Sequence, residues 1–256
     1  MQIQRIGNIM FNRFKYHKNL FPKIWDNDET LKPTVRQALL AMVSEYIFYL
    51  SSVVKIPVSE SDIQDVILHG SITNYYWDKY SDIDMCLVMD LSELRKKLSG
   101  IDDFFLFKSL LNSWENNFYI SVYGRKIDIW LLDKTEKQTY LDNTVDTFYS
   151  LLSNKWIKKP KHIPDNELKK IKKVARKKYR IIMRQCNQIL KSNQPPVVID
   201  KYLIDIRKYR SNSSHNHYFM PLTSGVMAFK AARNTGIFHK MRRKSKKELS
   251  KQFILK

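Results

Sequence analysis

The chain has 256 residues, 43% of them hydrophobic and 12% aromatic, which excludes a disordered chain and allows one large domain or two small lobes. Its formal net charge is +20, but heavy use of Lys, Asn, Ile and Tyr against six glycines suggests AT-rich coding, which inflates lysine and weakens any argument from total charge. Two cysteines exclude a disulfide framework and a zinc site; no apolar run reaches the ~18 residues of a membrane span, and the N-terminus lacks a secretory core, so a cytoplasmic protein is expected.

In chain order, Pro33-Thr34 opens an amphipathic helix from Val35 to about Ser52, with Leu39, Met42, Val43, Tyr46, Ile47 and Leu50 on one stripe. A polar connector, Lys55 to Asp62, is broken by Pro57. Val66 to Leu68 reads as a short buried strand, Gly70-Ser71 as a turn, and Ile72 to Trp77 as a short helix. After a polar loop comes a second strand, Ile83 to Met89. Asp103 to Asn116 reads as a helix, and Phe118 to Tyr123 with Lys126 to Leu132 as a hairpin around Gly124. Beyond Leu132 the strand signal disappears. Thr144–Ser153, Asn166–Lys191, Ile199–Tyr209 and Thr223–Asn234 read as helices, and the basic tail from Lys240 as a flexible segment. The order of elements predicts an α+β fold: a sheet with helices in residues 1–157, then a basic all-helical lobe in 158–256.

The candidate chemistry sits between the first two strands. Side chains on a strand alternate between faces, so Asp82 and Asp84 point one way while Ile83, Met85 and Leu87 point the other. Two carboxylates roughly 6.6 Å apart repel by about 2–3 kcal/mol at an effective dielectric near 20. A cation between them removes that cost, and hard oxygen ligands suit Mg²⁺ shared with substrate phosphates. Gly70-Ser71 follows a strand and opens a turn, where glycine allows close backbone approach and free N–H groups favour phosphate. Asp128 alternates with Ile127 and Ile129 on a later strand. If that strand pairs beside the second, three carboxylates converge and can hold two metals. Asp133 is the alternative third acid, but it ends the strand and reads better as a helix N-cap. His69, His215 and His217 read as structural or surface residues.

Gly70-Ser71, ten residues, Asp82-Ile83-Asp84 and then Asp128 on a distal strand resembles the DNA polymerase beta-like nucleotidyltransferase superfamily. The likeness covers roughly residues 34–134. It implies a mixed sheet flanked by helices, two Mg²⁺ ions (Mn²⁺ as a substitute), and transfer of a nucleoside monophosphate from ATP or another nucleoside triphosphate. By position, Gly70 and Ser71 contact the triphosphate, Asp82 and Asp84 bind both metals, and Asp128 completes the acceptor-side metal and helps deprotonate the acceptor hydroxyl. Tyr149-Ser150 with Asn154–Pro160, and Phe229–Gly236, resemble nucleotidyltransferases predicted in tailed bacteriophages. On that likeness Tyr149 joins the nucleotide-binding candidates; Lys230 and Arg233 join them by spacing, three residues apart on one face of a helix that Ser224 can cap, where they reach the triphosphate or the acceptor backbone or form a plain surface pair. The basic loop that follows Gly-Ser in many members is replaced here by Asn74-Tyr-Tyr-Trp77, aromatics that either pack the turn onto the sheet or line a nucleotide edge.

Charge is sharply divided. Residues 155–256 carry 28 Lys/Arg and 5 Asp/Glu, a net of +23, against −3 for residues 1–154. Coding bias spreads lysine evenly and does not produce such a split. Leu168 to Arg184 reads as a basic helix with Leu168, Ile171, Val174, Tyr179 and Ile182 as its docking stripe, and Lys172, Lys173, Arg176, Lys177 and Arg180 as candidate nucleic-acid contacts. The expected acceptor is RNA, a tRNA-like end the best fit. The alternatives are the same chemistry on a small molecule, a protein hydroxyl or a second nucleotide, and an inactive nucleic-acid-binding protein on the same fold.

Overall fold

The structure is a computed structural model, and it describes residues 11, 14–53, 55–97, 120–143, 146–215 and 222–253. The chain divides into two compact units. One is Tyr16–Lys161; the other is His162–Lys256 together with the described residues before Tyr16. Phe11 belongs to the second by contact, since its ring meets Tyr179 edge-on and lies under the Arg176 guanidinium.

The first unit is built on helix α1 (Pro33–Phe48) and a six-stranded mixed sheet. The strands are β1 (Ile63–His69), β2 (Ile83–Met89), β3 (Ser121–Val122), β4 (Arg125–Asp133), β5 (Phe148–Ser150) and β6 (Lys155–Lys158), in the order β3-β4-β2-β1-β5-β6. Only β2 and β4 run parallel. Proline at the first helical position starts α1, where its missing N–H costs nothing. Val35, Leu39, Met42, Val43, Tyr46 and Ile47 then form one buried stripe, and a π-helical turn at Tyr49–Val53 closes the helix. That stripe packs on the sheet face made by Val66, Leu68, Met85, Leu87, Ile127 and Ile129. The other face carries a smaller core of Ile67, Cys86, Val88, Leu132 and Phe148, with Leu141 from helix α3 (Lys137–Asn143). A short helix α2 (Leu91–Lys97) follows β2.

Several expectations need correction. Ile72–Trp77 is not a helix; the chain makes a single 3₁₀ turn, Gly70–Thr73. The aromatics after it pack: Trp77 stacks on His17, Tyr75 donates to Glu29, and Tyr75 and Tyr76 are buried. The helix expected over 144–153 is in its described part strand β5. Phe148 enters one core and Tyr149 the other, and an apolar run buried on both faces has no period that separates strand from helix. The strand signal therefore does not end at Leu132, because β6 pairs with β5. The helix read over 103–116 lies outside the described residues, as do positions 118 and 119 of the hairpin.

The second unit holds helices α4 (Asp165–Lys191), α5 (Pro196–His215), α6 (Ser224–Asn234) and α7 (Ile237–Gln252). α6 is buried along nearly its whole length against α4 and α5. Gly225 permits this, since a β-carbon there would fall 2.6 Å from that of Ser213. Its cap is Thr223, whose hydroxyl accepts from the Val226 N–H at 3.2 Å, and not Ser224. The basic tail is helix α7, held by Ile237, Phe238 and Met241. Among the described residues no helix is long and apolar enough to cross a membrane.

Candidate active site

The site lies where β1 ends and β2 and β4 begin. Asp84 is the in-register partner of Asp128 on the parallel strand β4 and of His69 on the antiparallel strand β1. Directly paired residues share a sheet face, so all three side chains stand on the face of the smaller core, with strands about 4.8 Å apart. Asp82, one residue before β2, has the alternation of that same face.

Gly70 has φ +81°, and a β-carbon built on it would sit 2.2 Å from Asp84 Oδ2. The glycine is therefore required twice, for the left-handed backbone and for the carboxylate lying against its Cα. Ser71 Oγ donates to Ser81 Oγ at 2.8 Å, and Ser81 Oγ also accepts the Asp78 N–H at 2.9 Å. The buried Arg125 guanidinium donates to the carbonyls of Asp78 and Ser81, the latter at 3.3 Å, and stacks 4.4 Å above Phe21. The loop that delivers Asp82 is thus clamped from the turn on one side and from β4 on the other.

Burial is the main cause that pushes the Asp84 carboxyl up, to about 6; His69 pulls it down, while the charges of Asp128, Asp146 and Asp82 push it up. Asp128 is partly neutralised by Lys126, which forms an ion pair with it. A divalent cation fits this donor set: the oxygens are hard, and the like charges that raise Asp84 are those a cation relieves. Among the described residues, however, no group of three or more His, Cys, Asp or Glu side chains is drawn together tightly enough to hold a metal ion.

Three participants have no role assigned by the sequence pattern. His69 Nε2 accepts from the Trp130 indole N–H at 2.9 Å, which leaves Nδ1 as the donor, and Nδ1 faces Asp146 Oδ2 at 3.8 Å. Asp146 Oδ1 accepts from Asn74 Nδ2 at 3.2 Å, and Asn74 Nδ2 also reaches the Gly70 carbonyl at 3.0 Å and Thr147 Oγ1 at 2.8 Å. Asp146 is hidden in the sequence because its segment reads as helix. The third is Arg125, whose place at the start of an amphipathic strand looks like an ordinary solvated end.

Other candidates lie elsewhere. Tyr149 is 1% exposed, sits on the sheet face opposite the carboxylates among Trp25 and Trp156, and donates to Asn154 Oδ1 at 2.9 Å. Its aromatic surface is spent on the core. Lys230 and Arg233 belong to the helical unit, Lys230 buried and Arg233 near the Phe229 ring. Lys173, Arg176, Lys177 and Arg180 are exposed on α4 and Lys172 is half-buried.

Residues 50–151 match the family model described as a nucleotidyltransferase domain. Over that stretch the chain is similar to a nucleotidyltransferase domain. The matched stretch runs from the end of α1 to just past β5 and so contains Gly70, Ser71, Asp82, Asp84, Asp128 and Asp146. It is consistent with the DNA polymerase beta-like superfamily, and the mixed sheet with flanking helices is the expected nucleotidyltransferase architecture. No curated protein matches the chain.

Proposed function

We propose that this nucleotidyltransferase domain moves a nucleoside monophosphate from a nucleoside triphosphate to a hydroxyl of RNA, with Mg²⁺ held by Asp82, Asp84 and Asp128. The observation that carries the reading is the Asp84 carboxylate lying on the Gly70 backbone with Asp128 beside it in register. A phosphate-binding turn and an acidic pair share one spot there. Bound Mg²⁺ would supply charge neutralisation on the phosphates and on the attacking oxygen.

The chain's own residues do the positioning. Gly70 lets the turn close against the Asp84 carboxylate, so that the backbone N–H groups of the turn and the Ser71 hydroxyl would meet the triphosphate beside the acidic pair. Asp128 accepts the hydrogen bond of the acceptor hydroxyl, and the proton leaves in that direction. The acceptor oxygen attacks the α-phosphorus, the α–β bridging bond breaks, and pyrophosphate departs. Arg125 keeps Asp82 in place throughout through the carbonyls of its loop.

RNA as acceptor is supported by the net +23 of residues 155–256 and by exposed Lys173, Arg176, Lys177 and Arg180 on one long helix. The test is incubation with each α-labelled nucleoside triphosphate, Mg²⁺ and total cellular RNA. Label is expected in RNA and is expected to vanish in the Asp82→Ala, Asp84→Ala double variant. Label confined to protein or to small molecules would overturn the acceptor; label unchanged in the double variant would overturn the site.

A further inference from the structure

The 3₁₀ turn Gly70–Thr73 is flanked by His69 at its start and Asn74 at its end. Both flanking side chains face one carboxylate, Asp146, which comes from the segment entering β5 and lies 72 residues from Asn74 in sequence. Asn74 is 2% exposed, and its side-chain nitrogen has the Gly70 carbonyl, Asp146 Oδ1 and Thr147 Oγ1 around it. Thr73 Oγ1 adds a second donor to the Gly70 carbonyl at 2.8 Å and also meets Thr147 Oγ1 at 2.7 Å. Asp146 is itself held by the Thr147 N–H at 3.1 Å. On the other side, His69 is fixed by Trp130, two residues beyond Asp128 on β4.

A peptide plane is rigid, so a carbonyl pinned by two donors also fixes the direction of the N–H on its far side, that of Ser71. We propose that Asp146, acting through Asn74 and His69, is a positioning residue that sets the Gly70-Ser71 peptide for the triphosphate. This rests on the nucleotidyl-transfer reading above. Asp146 touches neither Gly70 nor Ser71 directly. It braces the two residues on either side of the turn, so the turn keeps its shape when a charged ligand arrives. A brace on a binding turn contributes to holding the nucleotide and not to the bond-making step, which places its effect in KM.

The experiment compares the full-length protein with Asp146→Ala and Asp146→Asn. Asparagine keeps an oxygen that accepts from Asn74; alanine removes it. Asp146→Ala is expected to raise KM for the nucleoside triphosphate roughly tenfold with kcat within about threefold of the parent, and Asp146→Asn to recover most of the loss. The affinity of an α,β-methylene nucleoside triphosphate, which cannot transfer its nucleotide, should weaken in parallel. Asn74→Asp replaces the donor with a like charge beside Asp146 and should weaken analogue binding further; if it fails to fold, the two Asp146 variants decide. If the parent binds the analogue and Asp146→Ala binds it equally well, the positioning role is overturned while nucleotidyl transfer stands. A fall in kcat alone, at unchanged KM, also overturns it. A parent that neither binds the analogue nor transfers label overturns both.

Discussion

At the scale of single residues, the site is defined by what Asp84 is made to tolerate. Its carboxyl lies against a glycine, faces Asp128 and is raised to about 6 chiefly by burial. A carboxyl whose folded-state pKa exceeds the unfolded value binds more protons folded than unfolded. Its ionisation therefore costs nothing below pH ~4, costs progressively more as pH rises toward 6, and then stays constant. The shift corresponds to at most about 3 kcal/mol, less where solvent screens the group. Metal-free Asp84→Asn should thus be more stable than the parent at pH 7.5 and no more stable at pH 4, while losing transfer activity. Thermal melts at the two pH values in chelator read this directly; equal melting temperatures at pH 7.5 would show that the carboxylate is not strained. Gly70→Ala tests the opposite case. Its methyl group would enter the Asp84 oxygen at a positive φ, so a loss on the order of 2–4 kcal/mol with loss of activity is expected. A melt within 0.5 kcal/mol of the parent would mean the turn relaxes freely.

At the scale of elements, the loop Asp78–Asp82 behaves as part of the sheet because Arg125 holds it. Replacing Arg125 by Met takes the guanidinium from both carbonyls; that of Asp78 keeps the Ser81 N–H at 3.0 Å, so the cost falls mainly on the Ser81 carbonyl, at about 1–3 kcal/mol for a buried acceptor. Arg125→Met should destabilise by that order and lower kcat by roughly tenfold through a displaced Asp82, and Arg125→Lys should restore the fold more than the rate, since an ammonium does not reproduce the planar group stacked on Phe21. Denaturant titration beside steady-state kinetics separates the two losses. These elements also show which signals reach the sequence level. The alternation Asp82-Ile83-Asp84-Met85 and Lys126-Ile127-Asp128-Ile129 has a strict period of two, so β2 and β4 are legible from the amino acids alone, while the shared face of Asp84 and Asp128 follows only from the pairing of the two strands. β5 is not, because Phe148 and Tyr149 are both buried and leave no polar phase. Misreading it conceals Asp146, whose position depends on a strand that pairs with the sequence-distant Ile67 and Leu68. α4 is legible as a helix, but its buried stripe runs through Ala175 and Cys186, and Val174 is 45% exposed. α7 escapes notice because few apolar residues serve so long a run of lysines.

For the whole molecule, the question is why one chain keeps a near-neutral sheet unit and a helical unit of such one-sided charge. Like charges along a helix repel, and α4 carries Lys169, Lys170, Lys172, Lys173, Arg176, Lys177, Lys178, Arg180 and Arg184 against Asp165 and Glu167 near its start. Its buried residues carry most of the docking of that helix within the unit, with Arg176 and Lys178 adding contacts to the Phe11 and Tyr209 rings. A nucleic-acid backbone would offset the like-charge repulsion, and the entropy of released counterions makes such binding depend steeply on salt. If Lys173, Arg176, Lys177 and Arg180 each neutralise one phosphate, replacing all four by Gln should lower the slope of log affinity against log salt by about 3, at roughly 0.7 per single-strand contact. All four are exposed, so the fold should survive, with a loss of about 1 kcal/mol or less from the contact of Arg176 with the Phe11 ring. RNA affinity measured by filter binding between low and moderate salt gives the slope for both proteins. Transfer to RNA should fall in the variant as binding does, while binding of the α,β-methylene nucleotide should not change, because the Gly70 turn is intact. An unaltered slope would remove α4 from the acceptor's path, and with it the main reason to prefer RNA over a small acceptor.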